Sequence, residues 1–229
     1  MNTDNYAFAA TPHSVSHHLS DETLLDYANG ALSASMETLV ACHLTVCPFC
    51  REHSLTIDAI NGELLFDQEP ARTGLSAQEL LNRAQTTPKK AVTKTTSPIG
   101  DSSVPRPLGR LLPGPIESLN WRSVAPGIKQ FSLSEKHRKD GAFKLLRLEP
   151  GVTLSQHTHN ERELTYVVRG SYHDELGRFR AGDIADLDND VEHRPVVDTD
   201  EVCIALIATD APVKYSTVLG KIMQPFVGI

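Results

Sequence analysis

Apolar runs, cysteine and early basic residues are all scarce in this 229-residue chain. No stretch approaches the roughly 20 apolar residues needed to span a bilayer. The opening Met1-Asn2-Thr3-Asp4-Asn5-Tyr6 lacks the basic region and apolar core of a signal peptide. A cytoplasmic protein with no membrane partner is therefore expected. The four cysteines are Cys42, Cys47, Cys50 and Cys203. With three clustered and one remote, they do not form the disulfide framework of a small secreted domain. Residues 1–85 carry three basic side chains against eleven acidic ones, net −8, while residues 86–106 carry net +3 and the remainder net −2. An acidic first third is poorly suited to gripping phosphates, which argues against direct nucleic-acid binding. It suits a partner with a basic surface, such as a DNA-binding protein, or is simply a soluble surface. No internal repeat is visible.

Hydrophobic patterning divides the rest. Residues 86–106 are dominated by Thr, Ser, Pro and Lys, contain no aromatic residue, and show no periodicity. Such a stretch buries too little apolar surface to offset its ordering entropy, and reads as an extended linker. Before it the pattern is helical. Ser20 caps a first helix over Asp21–Asn29 that stops at Gly30, with Leu24, Leu25 and Ala28 apolar. Ser33 or Ser35 opens a second helix through about Val46, and Pro48 starts a third through Leu55, Ile57, Ile60 and Leu64. Ser76-x-x-Glu79 makes a capping box for a fourth, with Leu80 and Leu81. Four short helices give a bundle with a thin core, and domains this small often need a staple. After the linker, short apolar strands such as Phe143–Leu148, Leu164–Arg169 and Val202–Ala208 alternate with Gly- and Asp-rich turns at Glu149-Pro150-Gly151, Glu175-Leu176-Gly177 and Asp188-Asn189-Asp190. That rhythm predicts an all-β barrel or jelly roll.

Two sets of residues carry metal chemistry. In the second half, Gly151-x5-His157-x-His159-x3-Glu163-x6-Gly170 is followed by Ala181-Gly182-Asp183 and then His193. His157 and His159 share a strand face, since successive side chains alternate. Three imidazoles and a carboxylate form a borderline N/O donor set suited to zinc, iron, manganese or nickel. Gly151 and Gly170 bracket the hairpin, where positive φ is expected. This frame resembles the metal-binding motif pair of the cupin superfamily.

In the first half, His43-x3-Cys47-x2-Cys50 places three N/S donors within eight residues. Positions 43 and 47 stack on one helix face. Tetrahedral zinc needs a fourth donor, and His17 or His18 can supply it from just ahead of the first helix. A closed S2N2 site would be structural. Cys42 falls on another helix face and reads as core, and Cys203 as inert strand packing. His13, His53, His137 and His173 lie outside both motifs and read as surface residues.

The first segment resembles the zinc-binding anti-sigma domain, and its union with a cupin resembles the ChrR family of transcriptional negative regulators. The family's opening His-His-x-Ser-Asp stands here as His17-His18-Leu19-Ser20-Asp21, which carries the fourth ligand to His18, with His17 as the fallback. The likeness spans about residues 17–215. It implies an N-terminal leader (1–16), a zinc-binding anti-sigma helical domain (17–85), a linker (86–106) and a cupin (107–229), an α+β chain in two domains. It also implies a heterodimer with an extracytoplasmic-function sigma factor and structural zinc on His18, His43, Cys47 and Cys50. A zinc or other divalent metal is implied on His157, His159, Glu163 and His193. The cupin then acts as a release module for singlet oxygen or an organic peroxide, not as a catalyst. The fourth helix is the element expected to swing onto the partner. The rival expectation is a cupin metalloenzyme, a dioxygenase or isomerase, with a zinc-stabilised helical adaptor.

Overall fold

The computed structural model describes residues 15–66, 68–69, 74–87, 101, 103–133, 141–155, 157–158, 162–187, 192–210 and 214–215, the pairs 157–158 and 214–215 as backbone only. Most of the leader, His13, His137, His159, linker residues 88–100 and 102, and the turn at 188–190 fall outside the described residues.

Helix α1 (Asp21–Ala28) starts where its cap predicts, with the Thr23 amide donating to Ser20 Oγ at 3.1 Å. Gly30 takes φ 65° just past its end. α2 (Ala34–Val46) follows Ser33, and α3 (Pro48–Phe66) begins on its proline. α4 (Ala77–Thr86) carries the complete capping box: Glu79 N donates to Ser76 Oγ at 3.2 Å and Ser76 N to Glu79 Oε2 at 2.7 Å. A short α5 (Arg106–Gly109) and a 3-10 turn (Ile116–Ser118) lead into the strands. These are β1 (Arg122–Ala125), β2 (Ile128–Ser132), β3 (Ala142–Leu148), β4 (His157–Thr158), β5 (Glu163–Arg169), β6 (Ser171–Asp174), β7 (Gly177–Arg180), β8 (Ile184–Leu187), β9 (Cys203–Thr209) and β10 (Lys214–Tyr215). The main sheet is antiparallel in the order β1-β2-β3-β9-β5-β8, with the pairs β4–β10 and β6–β7 completing the jelly roll. Gly151 and Gly170 take φ 81° and 72°. At Gly170 a Cβ would collide with the Val202 carbonyl, so only glycine fits. No described helix is long and apolar enough to cross a membrane.

The central strands β9 and β5 of the main sheet are buried on both faces. Leu146, Leu148, Val167, Cys203 and Ile207 point into the barrel with Tyr172 and Phe179. On the other face, Leu145, Leu164, Tyr166, Ile184 and Leu206 pack in one cluster with Leu39, Val40 and Cys42 of α2 and Leu108 of α5. The thin helical core is thus completed by the outside of the barrel. Parting the two would return those side chains to water, at roughly 1.5–3 kcal/mol each and on the order of 10 kcal/mol together. The helices and the barrel are therefore one folding unit.

Three expectations differ from what is observed. Leu25 is 45% exposed, and Leu55, Ile60 and Leu64 are 64%, 55% and 59% exposed. The reason is geometric: α2 turns its apolar face to the sheet, so α3 runs past the bundle with an uncovered apolar side. Val104, placed in the linker by composition, is 3% exposed and belongs to the shared core. α4 buries none of its residues, and Leu80 and Leu81 are about half exposed.

Candidate metal centres

The first centre is assembled by three short elements. His18 comes from the segment ahead of α1, His43 from the last turns of α2, Cys47 from its C-cap and Cys50 from the first turn of α3. At Cys47 the backbone leaves the helix (φ −101°, ψ 103°). His43 Nε2 lies 3.3 Å from Cys50 Sγ, and His18 Nδ1 lies 3.3 Å from Cys47 Sγ and 3.6 Å from Cys50 Sγ. All four donor atoms fall within 4.8 Å of one another. Zinc–sulfur and zinc–nitrogen bonds give tetrahedral N···S edges of about 3.6 Å, so the cluster fits a four-coordinate ion. His43, Cys47 and Cys50 are fully buried, whereas His18 is exposed. Burial pushes the Cys50 thiol up to about 12, and the neighbouring Cys47 adds to this. Burial likewise pulls His43 down to about 4. Neutral His is a competent ligand, but a buried thiolate needs a counter-charge, which a divalent cation supplies.

The barrel orients this cluster. His43 Nδ1 donates to the Gly182 carbonyl at 2.9 Å, which leaves Nε2 facing the sulfurs. Gly182, at φ 97° in the β7–β8 turn, approaches so closely that a Cβ would meet Val15 and Val46 at 3.3 and 3.5 Å. Next to it, Asp183 is 2% exposed and accepts from Ser16 N (2.7 Å), His17 N (3.2 Å) and Arg180 N (2.8 Å). Burial alone would raise this carboxyl, but those amides and the His17 ring hold it below its ordinary value. The His17 ring faces Asp183 (Nδ1 to Oδ2, 3.3 Å) and stacks on Phe179 at 3.9 Å. Of the two adjacent histidines, His18 therefore joins the thiols and His17 docks on the barrel. Ser20 donates to Asp186 through its amide and hydroxyl at 2.9 and 2.8 Å, and Arg162 pairs with Asp26 and Glu22 at 2.6 and 2.9 Å.

In the barrel, Glu163 opens β5 at 3% exposure and accepts from the Thr165 hydroxyl at 3.1 Å. His193 is 2% exposed, and its Nδ1 donates to the buried Asp174 carboxylate at 2.9 Å. A carboxylate behind an imidazole is the usual outer-shell partner of a metal-ligating histidine, and it leaves Nε2 to coordinate. Glu163 and His193 line one cavity of about 540 Å³, walled chiefly by apolar side chains such as Ile128, Leu146, Leu148, Val152 and Ile207. No lysine or arginine appears among its described lining residues. The His157 backbone pairs with Tyr215 in the β4–β10 ladder; its side chain, like His159, lies outside the described residues. Lys144 is buried beside this region, 3.4 Å from Gln130, and burial lowers its amine to about 8 against the pull of Glu163.

Sequence reasoning missed Asp174, Gly182 and Asp183 as supporting groups, and Lys144. Asp183 had a signal: an acid following glycine at the exit of a hairpin. His53 and His173 sit half-exposed, paired with Asp21 and Asp198. Cys42 and Cys203 are buried, and burial pushes both thiols up to about 12.

Residues 114–212 match the family model of the ChrR Cupin-like domain. The chain is 34% identical over 212 residues to the Anti-sigma-E factor ChrR of Cereibacter sphaeroides, covering 93% of this chain and 98% of that one. It is also similar to the crystal structure of Rhodobacter sphaeroides SigE in complex with the anti-sigma ChrR. That match has a TM-score of 0.71 at 33% identity, over 86% of this chain and all of the other.

Proposed function

Because the chain belongs to the family of the anti-sigma factor ChrR, we propose that it is a transcriptional negative regulator that sequesters an extracytoplasmic-function sigma factor in a heterodimer. The observation that carries this reading is the juxtaposition of a closed four-donor cluster with an uncovered apolar surface. On α3, Ile60, Leu64, Leu65 and Phe66 are 55–89% exposed beyond the Cys50 turn, and Leu80 and Leu81 of α4 are exposed as well. A helix pair of this kind offers apolar anchors to a groove on the partner. The solved relative is itself a complex with SigE. The acid-rich residues 1–85 suit a partner with basic surfaces.

In this reading residues 17–85 form the sigma-binding module, with zinc on His18, His43, Cys47 and Cys50 as its staple. Residues 107–229 form the sensor, with a divalent metal on His157, His159, Glu163 and His193. Such a metal, if held by these residues, would offer an exchangeable coordination position toward the cavity. Glu163, the one carboxylate among imidazoles, would be the most exchangeable of its donors. Singlet oxygen or an organic peroxide is the signal class. With zinc, the oxidant acts on ligands or neighbouring side chains, since that ion is redox-inert. The chain works in the cytoplasm, where sigma meets RNA polymerase. The cupin is a release module rather than an enzyme, because the likeness to an anti-sigma factor spans helices and barrel together.

The test uses the full chain, since the helices share a core with the barrel. Tagged protein with zinc retained is used to capture partners from source lysate. Recovery of one sigma factor, lost in the Cys47→Ser, Cys50→Ser variant, is the expected result. A folded, zinc-loaded bait that recovers no sigma factor would refute the regulator reading.

A further inference from the structure

One stretch of the barrel touches both candidate centres. The β6–β7 hairpin and its exit turn, residues 171–183, begin at the cavity and end against the helical cluster. On the cavity side, Tyr172 lines the wall and Asp174 holds His193. Within the hairpin, the Tyr172 and Phe179 rings are cross-strand partners stacked at 5.0 Å with planes 13° apart. Beyond it, Phe179 stacks on His17 at 3.9 Å, Asp183 gathers the amides of Ser16 and His17, and the Gly182 carbonyl orients His43. Those contacts fix the residue immediately before the ligand His18 and fix the ring of the ligand His43. The hairpin is itself held at several points. Its ladder runs from Ser171–Arg180 to Asp174–Gly177, His173 bridges Val196, and Gly182 N donates to Val167 O at 2.9 Å.

We propose that residues 171–183 are a shared outer shell, a strut through which occupancy of the barrel centre sets how tightly the helical cluster holds its metal. It rests on the reading that both clusters bind metal. Asp174, Phe179 and Asp183 are positioning residues; none is a ligand. A metal-bound His193 would pin Asp174 at the tip of the hairpin, where it pairs with Gly177 beside the His17 ring. Losing that anchor loosens the hairpin from its tip back through Phe179, and with it the contacts that orient His17, His18 and His43. Outer-shell partners of ligating histidines typically change metal affinity by about 10–100-fold when removed. The barrel thereby acts on the helical module without the two parting, which the shared apolar core forbids energetically.

Cobalt(II) makes the helical cluster visible alone, because thiolates give a charge-transfer absorption that an imidazole–carboxylate site lacks. The full chain is loaded with cobalt, and decay of that absorption is followed after adding EDTA. Asp174→Asn, which touches nothing in the helical module, is expected to speed the decay about tenfold; Phe179→Leu and Asp183→Asn are expected to do the same. Arg162→Ala, which removes the ion pairs to Glu22 and Asp26 elsewhere on the same interface, should leave the rate unchanged. Phe179→Leu keeps the test decisive should Asp174→Asn not fold. A wild-type rate in the folded strut variants overturns the proposal, and so does equal acceleration by Arg162→Ala, which would indicate a merely loosened interface. A wild-type chain with no charge-transfer absorption at all overturns the metal reading itself, and the strut with it.

Discussion

The two candidate centres are built in opposite ways. The helical cluster takes three of its four donors from eight consecutive residues, two of them sulfur, and buries those three completely. The barrel centre shows Glu163 and His193, thirty positions apart, on the wall of a cavity of about 540 Å³, and offers no sulfur. A closed thiolate site suits a staple, because nothing has to enter it. An N/O site on a cavity suits exchange with a small molecule. The largely apolar lining, with carboxylates at Glu149 and Glu163 and no lysine or arginine among its described residues, disfavours a phosphorylated visitor. On the proposed reading, structure and response are allotted to different donor chemistries.

The sharpest way to break this division is Cys47→Ser with Cys50→Ser. Structural zinc contributes about 10–16 kcal/mol in small zinc domains, so the helices and the barrel that shares their core should lose their fold together and sigma binding should vanish. Circular dichroism and size-exclusion chromatography read both. A variant that still binds would show that the cluster is no staple. Next in size is Leu206→Ala, on the sheet face shared with α2. It should cost about 2–5 kcal/mol of stability and should melt helices and barrel in one transition. Two separate transitions would mean independent modules.

His157→Ala with Glu163→Ala addresses the other centre. Sigma affinity is expected within about threefold of wild type, inside the roughly 1 kcal/mol that separates minor contacts from hot spots, while release by the oxidant is blunted. Loss of sigma binding would put sequestration in the wrong place. The smallest expected effect is on pH. The Asp183 carboxyl is held below 3.8 in the folded chain, so its contribution is complete above that value and is lost as pH falls through the depressed one. An acid titration should therefore show Asp183→Asn differing from wild type above pH 3.8 and converging with it in stronger acid.

Local chemistry was legible in the sequence. Ser20, Gly30, Pro48 and the Ser76–Glu79 box set helix ends through contacts a few residues long, and His43-x3-Cys47-x2-Cys50 is a short-range motif. What depended on distant pairing was not legible. His17 and His18 are adjacent and chemically identical; the choice between them is made by Asp183, 166 positions away from His17. The docking of α2 on the sheet was also missed, though a signal existed. β5 and β9 are buried at almost every position, and the apolar run Cys203–Ala208 of β9 means both faces are covered, where a one-sided sheet would alternate. The same oversight placed Leu55, Ile60 and Leu64 inside a bundle whose core lies elsewhere.

The most direct test is sigma-dependent transcription in vitro, titrated with the full chain. Zinc-loaded wild type and the His157→Ala, Glu163→Ala variant should both silence it at stoichiometric amounts, and the Cys47→Ser, Cys50→Ser variant should not. Transcription that persists with zinc-loaded wild type, or that is silenced equally by the double-serine variant, would contradict the account.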